Sequence, residues 1–309
     1  MWQHLLQQLI SGNAKALARC ISLVENEVSG YDELMEQLPG DTSVHIIGIT
    51  GAPGAGKSTL ADALIGSLVA DDKKVGVLCV DPSSPFNMGA LLGDRIRMSE
   101  WYNNPNVFIR SLATRGSLGG LTPKIIEITE LMKAAGFDYI IIETVGVGQS
   151  EIEIAGIADT TIVVLMPSSG DEIQTMKAGV MEIADIFVVN KSDNPGANVF
   201  VKNLLMNMKR VFSNNAHEVS IIKTIATEKK GIEELKEKIL EQFASVLSEK
   251  KYLLLTEKAY QLIQNKRMKD VNKKMLREEI MKNYSTKFNL YAFIKYFDEL
   301  YSAHDNIQY

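Results

Sequence analysis

Residues Gly51-Ala52-Pro53-Gly54-Ala55-Gly56-Lys57-Ser58 satisfy the pattern G-x-x-x-x-G-K-[ST] at every fixed position. The chemistry that such a segment performs is anion capture. Glycines permit backbone conformations that turn successive N–H groups inward, and a helix starting at the loop's end adds unpaired N–H groups and its positive dipole end. The Lys57 ammonium is expected to reach the β- and γ-phosphates, and the Ser58 hydroxyl to ligate Mg²⁺. Thr59 carries the loop onward. The context is the required one: a β-branched run ends at Thr50, and Leu60, Ala61, Leu64 and Leu68 continue at helical spacing. The segment reads as a nucleoside triphosphate site.

A second constellation selects the base. Asn190-Lys191-Ser192-Asp193 follows another apolar run and fits N-K-x-D. A carboxylate at Asp193 can accept from both the guanine N1–H and its 2-amino group. Adenine offers no such pair, so Asp193 would be poorly matched against ATP. Asn190 and Lys191 are expected to order the loop and cover the ring. Thr224-Ile225-Ala226, after a further run, is the candidate for a second base-contacting loop.

Acids at strand ends supply candidate metal ligands. Glu143-Thr144-Val145-Gly146 stands where a D-x-x-G pattern is common, with Glu143 placed to hold Mg²⁺ and Gly146 able to offer its N–H to the γ-phosphate. Asp81 and Asp94 are further candidates for the metal shell, and each could equally be an exposed loop acid. Val147 occupies the position of a common water-orienting glutamine, and Gln149 lies two residues on. Hydrolysis is therefore expected to be slow, with Lys177, Arg95, Arg97 or Arg115 as sources of the missing positive charge. A slow hydrolase completed by a partner is a switch.

The elements that must position these residues follow from the apolar pattern. Short β-branched runs at Val44–Thr50, Val75–Val80, Tyr139–Glu143, Thr161–Met166, Ile186–Asn190 and Val219–Lys223 alternate with helical stretches. This predicts an α/β fold, a P-loop NTPase with a doubly wound, mostly parallel sheet and helical extensions at both ends. Three regions result: an N-terminal helical extension over 1–43, a nucleotide-binding domain over 44–245, and a C-terminal helical arm over 246–309. That arm holds more Lys and Arg than Asp and Glu, and aromatics from Tyr284 to Tyr301 crowd its end. It either packs on its own core or forms a surface between subunits.

Of the 309 residues, 46% are hydrophobic and 23% charged, which excludes disordered and fibrous classes. A formal charge of -5 gives no drive toward nucleic acid or an anionic membrane. Two cysteines cannot build a disulfide framework or a thiolate metal cluster. Without a membrane-length apolar run or a signal-like N-terminus, the expectation is a cytoplasmic protein with neither nucleic-acid nor membrane partners.

The sequence resembles the methylmalonyl-CoA mutase-associated GTPases (MeaB/ArgK type), metallochaperone-like P-loop GTPases. Beyond the phosphate loop and Asn190–Asp193, the likeness rests on residues 16–25, Val80-Asp81-Pro82-Ser83-Ser84-Pro85, Leu92-Gly93-Asp94-Arg95-Ile96-Arg97-Met98, Glu143 to Glu151, and Gly170-Asp171-Glu172-Ile173-Gln174. It implies GTP and GDP as ligands, Mg²⁺ held by Ser58 and an acid cluster of Asp81, Asp94 and Glu143, and a nucleotide-sensing segment at Asp171–Lys177. It further implies a homodimer joined through the C-terminal arm. The implied partner is an adenosylcobalamin-dependent acyl-CoA mutase, whose cofactor loading the GTPase gates and which it protects or reactivates. A phosphotransferase acting on a transport-system protein, and a module that binds GTP without turnover, are the competing readings. Productive ATP use would favour the first; absence of turnover would favour the second.

Overall fold

In the computed structural model, the β-branched runs lie side by side as parallel strands. The structure describes residues 2–40, 43–81, 98–114, 121–146, 150–167, 178–211, 219–245, 248–268, 271–284 and 288–302. The strands are β1 (His45–Thr50), β2 (Val75–Asp81), β3 (Val107–Ala113), β4 (Tyr139–Glu143), β5 (Thr160–Leu165), β6 (Ile186–Val189) and β7 (Ser220–Lys223). They form one sheet in the order β3-β2-β4-β1-β5-β6-β7, every pairing parallel. The expected runs shift by a single residue at half of their ends. β3 is the addition. Arg110 and Ser111 interrupt its apolar character, and as an edge strand it is only half-buried along most of its length.

Helices cover both faces. On one face, Ile47, Ile49, Ile141 and Ile162 pack with Leu60, Leu64 and Ile65 of α4 (Lys57–Ala70). The other face joins Ile46, Ile140 and Ile142 to Ile128 and Leu131 of the helix Ile125–Ala134, and to Ile154 of the helix Ser150–Ala155. Helices following the adjacent strands β1 and β4 thus leave on opposite faces. Such a divergence opens a crevice at the strands' carboxyl ends, where ligands bind in sheets of this type. A third cluster, Phe187 and Val189 with Phe200, Leu204 and Met208 of the helix Ala197–Val211, closes the β6 side.

The N-terminal helices α1 (Trp2–Ile10), α2 (Ala14–Glu25) and α3 (Tyr31–Glu36) share the second of these cores. Leu9, Leu17, Ile21 and Val24 are wholly buried there, each contributing about 1.5–3 kcal/mol of apolar burial. Asn13 caps α2 by accepting from the N–H groups of Lys15 and Ala16 at 3.0 Å. Glu25 pairs with Arg110 of β3 at 3.0 Å and Glu27 with Lys124 at 2.8 Å.

The chain divides into two units, residues 1–255 and 256–309. The second contains most of the helix Ser248–Arg267 and the helices Lys273–Asn283 and Leu290–Ser302. Within it, the rings of Tyr284, Phe288, Phe293 and Phe297 follow one another at 5.5, 5.7 and 5.9 Å. Phe293 and Phe297 are buried, while Tyr260, Ile263, Met281, Tyr284 and Tyr291 are exposed. No described helix is long and apolar enough to cross a membrane.

Candidate nucleotide and metal site

The phosphate loop leaves β1 at Gly51, whose φ of 137° no other residue adopts comfortably. A Cβ there would lie 2.2 Å from the Val164 carbonyl oxygen, so the loop's first turn sits against β5. Gly54 and Gly56 also have positive φ, and α4 begins at Lys57 directly after Gly56. Ala55, Lys57 and Ser58 are buried, whereas Ala52, Pro53 and Gly54 are exposed. The Lys57 ammonium donates to the carbonyl oxygens of Gly51 at 2.9 Å and Ala52 at 3.2 Å, holding the cation over the loop.

The acid side of the site comes from β4 and β2. Glu143 ends β4 opposite Ile49 of β1, and its Oε1 accepts from the Ser58 hydroxyl at 2.7 Å with both residues buried. Asp81 ends β2 and is also buried; two residues earlier Cys79 is in register with Glu143. Past Glu143 the chain passes Thr144 and reaches Gly146, with φ of 80°. A Cβ on Gly146 would stand 2.2 Å from the Gly51 oxygen and 2.5 Å from the Lys57 nitrogen, so only glycine fits so close to the phosphate loop.

This donor set suits a hard cation. Ser58 and Glu143 offer adjacent oxygens, and among the described residues no group of three His, Cys, Asp or Glu side chains gathers as a soft or multi-acid centre would need. A cation held by one hydroxyl and one or two carboxylates keeps positions for phosphate oxygens and water, which is the Mg²⁺ habit. Ser58 and Glu143 therefore fit Mg²⁺.

Two side chains, Asn190 and Lys191, tie the candidate base-side loops to the phosphate loop. Asn190, 1% exposed, donates through Nδ2 to the Ala55 oxygen at 3.0 Å. Its Oδ1 accepts from the Thr224 hydroxyl and from the Ala226 N–H, both at 3.1 Å. Lys191, at φ 54°, donates to the Gly54 oxygen at 2.9 Å. The Ser192 N–H donates to the Thr224 oxygen at 3.0 Å. Asp193 lies exposed beside these loops. Lys230, ion-paired with Glu228 at 2.6 Å, also feels the Asp193 carboxylate; the Glu228 contact is the main cause that raises its pKa.

The structure thus brings together the phosphate loop, Glu143, Gly146 and the two candidate base loops. Asp94, Gln149 and Lys177, with Arg95, Arg97, Arg115, Val147 and the segment 170–176, lie outside the described residues. Two arrangements are new relative to the sequence reading. The Thr144 hydroxyl meets the Thr50 hydroxyl at 2.9 Å. Trp101 donates to Asp62 of α4 at 2.8 Å; burial pushes the Asp62 carboxyl up despite this bond, which lowers it. No motif announces either contact, because each depends on how distant segments meet.

Comparison with known proteins agrees with this geometry. The family described as methylmalonyl-CoA mutase-associated GTPase MeaB matches residues 17–288. A protein of Pyrococcus horikoshii that carries a GTPase name is 48% identical over 242 residues, covering 77% of this chain and 76% of that one. A mitochondrial protein of Caenorhabditis elegans, named a methylmalonic aciduria type A homolog, is 41% identical over 207 residues, 62% of this chain and 50% of that one. Among solved structures, one described as LAO/AO transport system kinase superposes with a TM-score of 0.68, covering 97% of each chain at 24% identity. That last likeness is one of fold.

Proposed function

The chain belongs to the methylmalonyl-CoA mutase-associated GTPase family, and from that premise we propose that it regulates an adenosylcobalamin-dependent acyl-CoA mutase of the methylmalonyl-CoA mutase type. It is a GTPase that binds guanine nucleotides. In this reading its GTP cycle is Mg²⁺-dependent and gates cofactor loading, and the protein protects or reactivates the mutase in the cytoplasm. The observation that carries the reading is the family match over residues 17–288, together with the Ser58–Glu143 contact that joins the phosphate loop to the segment leaving β4.

In this reading each residue has a role suited to its chemistry. Backbone N–H groups of the loop from Gly51 to Thr59 and the Lys57 ammonium bind the phosphates. Ser58, Glu143 and Asp81 are the protein's metal-side oxygens, with Asp94 as a further one; Mg²⁺, when bound, supplies neutralisation of phosphate charge. The Gly146 N–H would donate to the terminal phosphate. Asn190, Lys191 and Thr224 to Ala226 frame the base, and Asp193 accepts from guanine. Gln149 and Lys177 complete water orientation and charge compensation once the mutase is engaged. The exposed apolar residues of the C-terminal unit, Tyr260, Ile263 and Tyr291 among them, serve a homodimer interface.

GTP hydrolysis by the purified protein, measured with and without a cobalamin-dependent acyl-CoA mutase from the same organism, tests this directly. A slow basal rate that rises strongly with mutase is the expected outcome. A rate indifferent to the mutase would remove the client while leaving the GTPase. Transfer of phosphate from ATP to a transport-system protein would favour the phosphotransferase reading instead.

A further inference from the structure

We infer that the hydroxyl pair Thr50–Thr144 is a positioning element for GTP hydrolysis, setting where Gly146 stands against the phosphate loop. This rests on the GTPase reading and deepens it. Thr50 is the last residue of β1 and Thr144 the first after β4. They are 0% and 1% exposed. The Thr144 hydroxyl donates to the Thr50 hydroxyl at 2.9 Å, and among the described residues each is the other's one side-chain partner. The Thr144 N–H donates to the Ile49 oxygen at 3.0 Å, extending the parallel ladder one step beyond the pair Ile49 and Glu143.

The placement makes this bond the middle of three attachments. Before it, Glu143 accepts from Ser58 on the α4 face. After it, Gly146 packs against Gly51 and Lys57 so closely that a Cβ would not fit. Strand alternation puts Thr50 on the opposite face from Ile49, the face where Gly48 meets Ile154 and Ala158. Thr50 and Thr144 therefore hold the departing chain from the side that neither Ser58 nor Lys57 reaches. Apolar packing on that face is non-directional and tolerates small slips. A hydrogen bond fixes one oxygen at a set distance from another. A slip at residue 144 is passed along two peptide units to Gly146, whose contact with the phosphate loop has no slack. In this proposal the threonines are positioning residues that act through Gly146.

The test uses the full-length protein with Mg²⁺, GTP and GDP, and three variants: Thr144→Val, Thr144→Ser, and the double variant Thr50→Val/Thr144→Val. Valine preserves shape and removes the hydroxyl, while serine keeps it. Thr144→Val is expected to lower kcat about tenfold with GDP affinity unchanged within about twofold, and Thr144→Ser to stay close to the parent. The double variant separates positioning from simple stability. Replacing both partners by apolar groups of the same shape leaves no buried hydroxyl unmatched, so its melting temperature should return toward the parent's while kcat stays low. Recovery of kcat along with stability would overturn the inference, as would a parental kcat in Thr144→Val or an equal loss in Thr144→Ser. Failure of the parent itself to turn over GTP would instead overturn the GTPase reading.

Discussion

Position 193 carries an acceptor-only side chain, and that chemistry has a clean reversal. Asn offers an NH2 donor group and an acceptor oxygen, which suits a purine bearing a carbonyl where guanine has its amine. Asp193→Asn should therefore weaken GTP binding by about 10- to 100-fold, the range of one or two charge-assisted hydrogen bonds, and improve xanthine nucleotides correspondingly. Competition between GTP and XTP reads this, and an unchanged GTP preference would remove Asp193 from the base site. Glu143 invites a second substitution. Its Oε1 accepts from Ser58 inside the protein, so Glu143→Ala removes a carboxylate and also the group that orients a neighbouring hydroxyl. The Mg²⁺ concentration at half-maximal GTP hydrolysis should rise by about tenfold or more; an identical metal titration would place the metal elsewhere. Both residues stand out in the sequence because their patterns are local. Asn190 was legible only as part of a motif: that one amide would grip Ala55, Thr224 and Ala226 together depends on three loops meeting in space.

Among the elements, the strands buried on both faces announced themselves as unbroken apolar runs, and β3 did not. An edge strand pairs on one side only, so it can carry Arg110 and Ser111, and the apolar signal fades. The Thr50–Thr144 pair was hidden for another reason. Its two members are 94 residues apart, and only the strand register sets them side by side. Spacing of apolar residues made the N-terminal helices visible, but nothing local says which surface they cover. The structure gives them the sheet's own core, and that has an energetic consequence. Leu17, 1% exposed in α2, should cost about 2–5 kcal/mol when changed to alanine. Denaturant unfolding of Leu17→Ala, followed by far-ultraviolet circular dichroism, should show one transition moved to lower denaturant. A separate early transition confined to part of the helical signal would mean that α1–α3 unfold on their own.

At the scale of the whole molecule, the two units differ in what they bury. Residues 1–255 enclose a two-sided sheet, whereas the 256–309 unit keeps large apolar side chains such as Tyr260, Ile263 and Tyr291 at its surface. A dimer would cover them. Tyr260→Glu combined with Ile263→Glu in the full chain should turn a dimer into a monomer by light scattering, with GTP affinity unchanged within about twofold; a parent that is already monomeric would withdraw the dimer. The placement of α1–α3 also bears on how the protein is made. Leu9, Leu17, Ile21 and Val24 leave the ribosome well before Ile128, Leu131, Ile140 and Ile142, which are among their partners. At about 5–20 residues per second, these helices wait roughly 5 to 25 seconds for the surface they cover. Through that interval their apolar faces are open to whatever else the cell offers. Helices α1–α3 are thus made well before the surface that gives them a home.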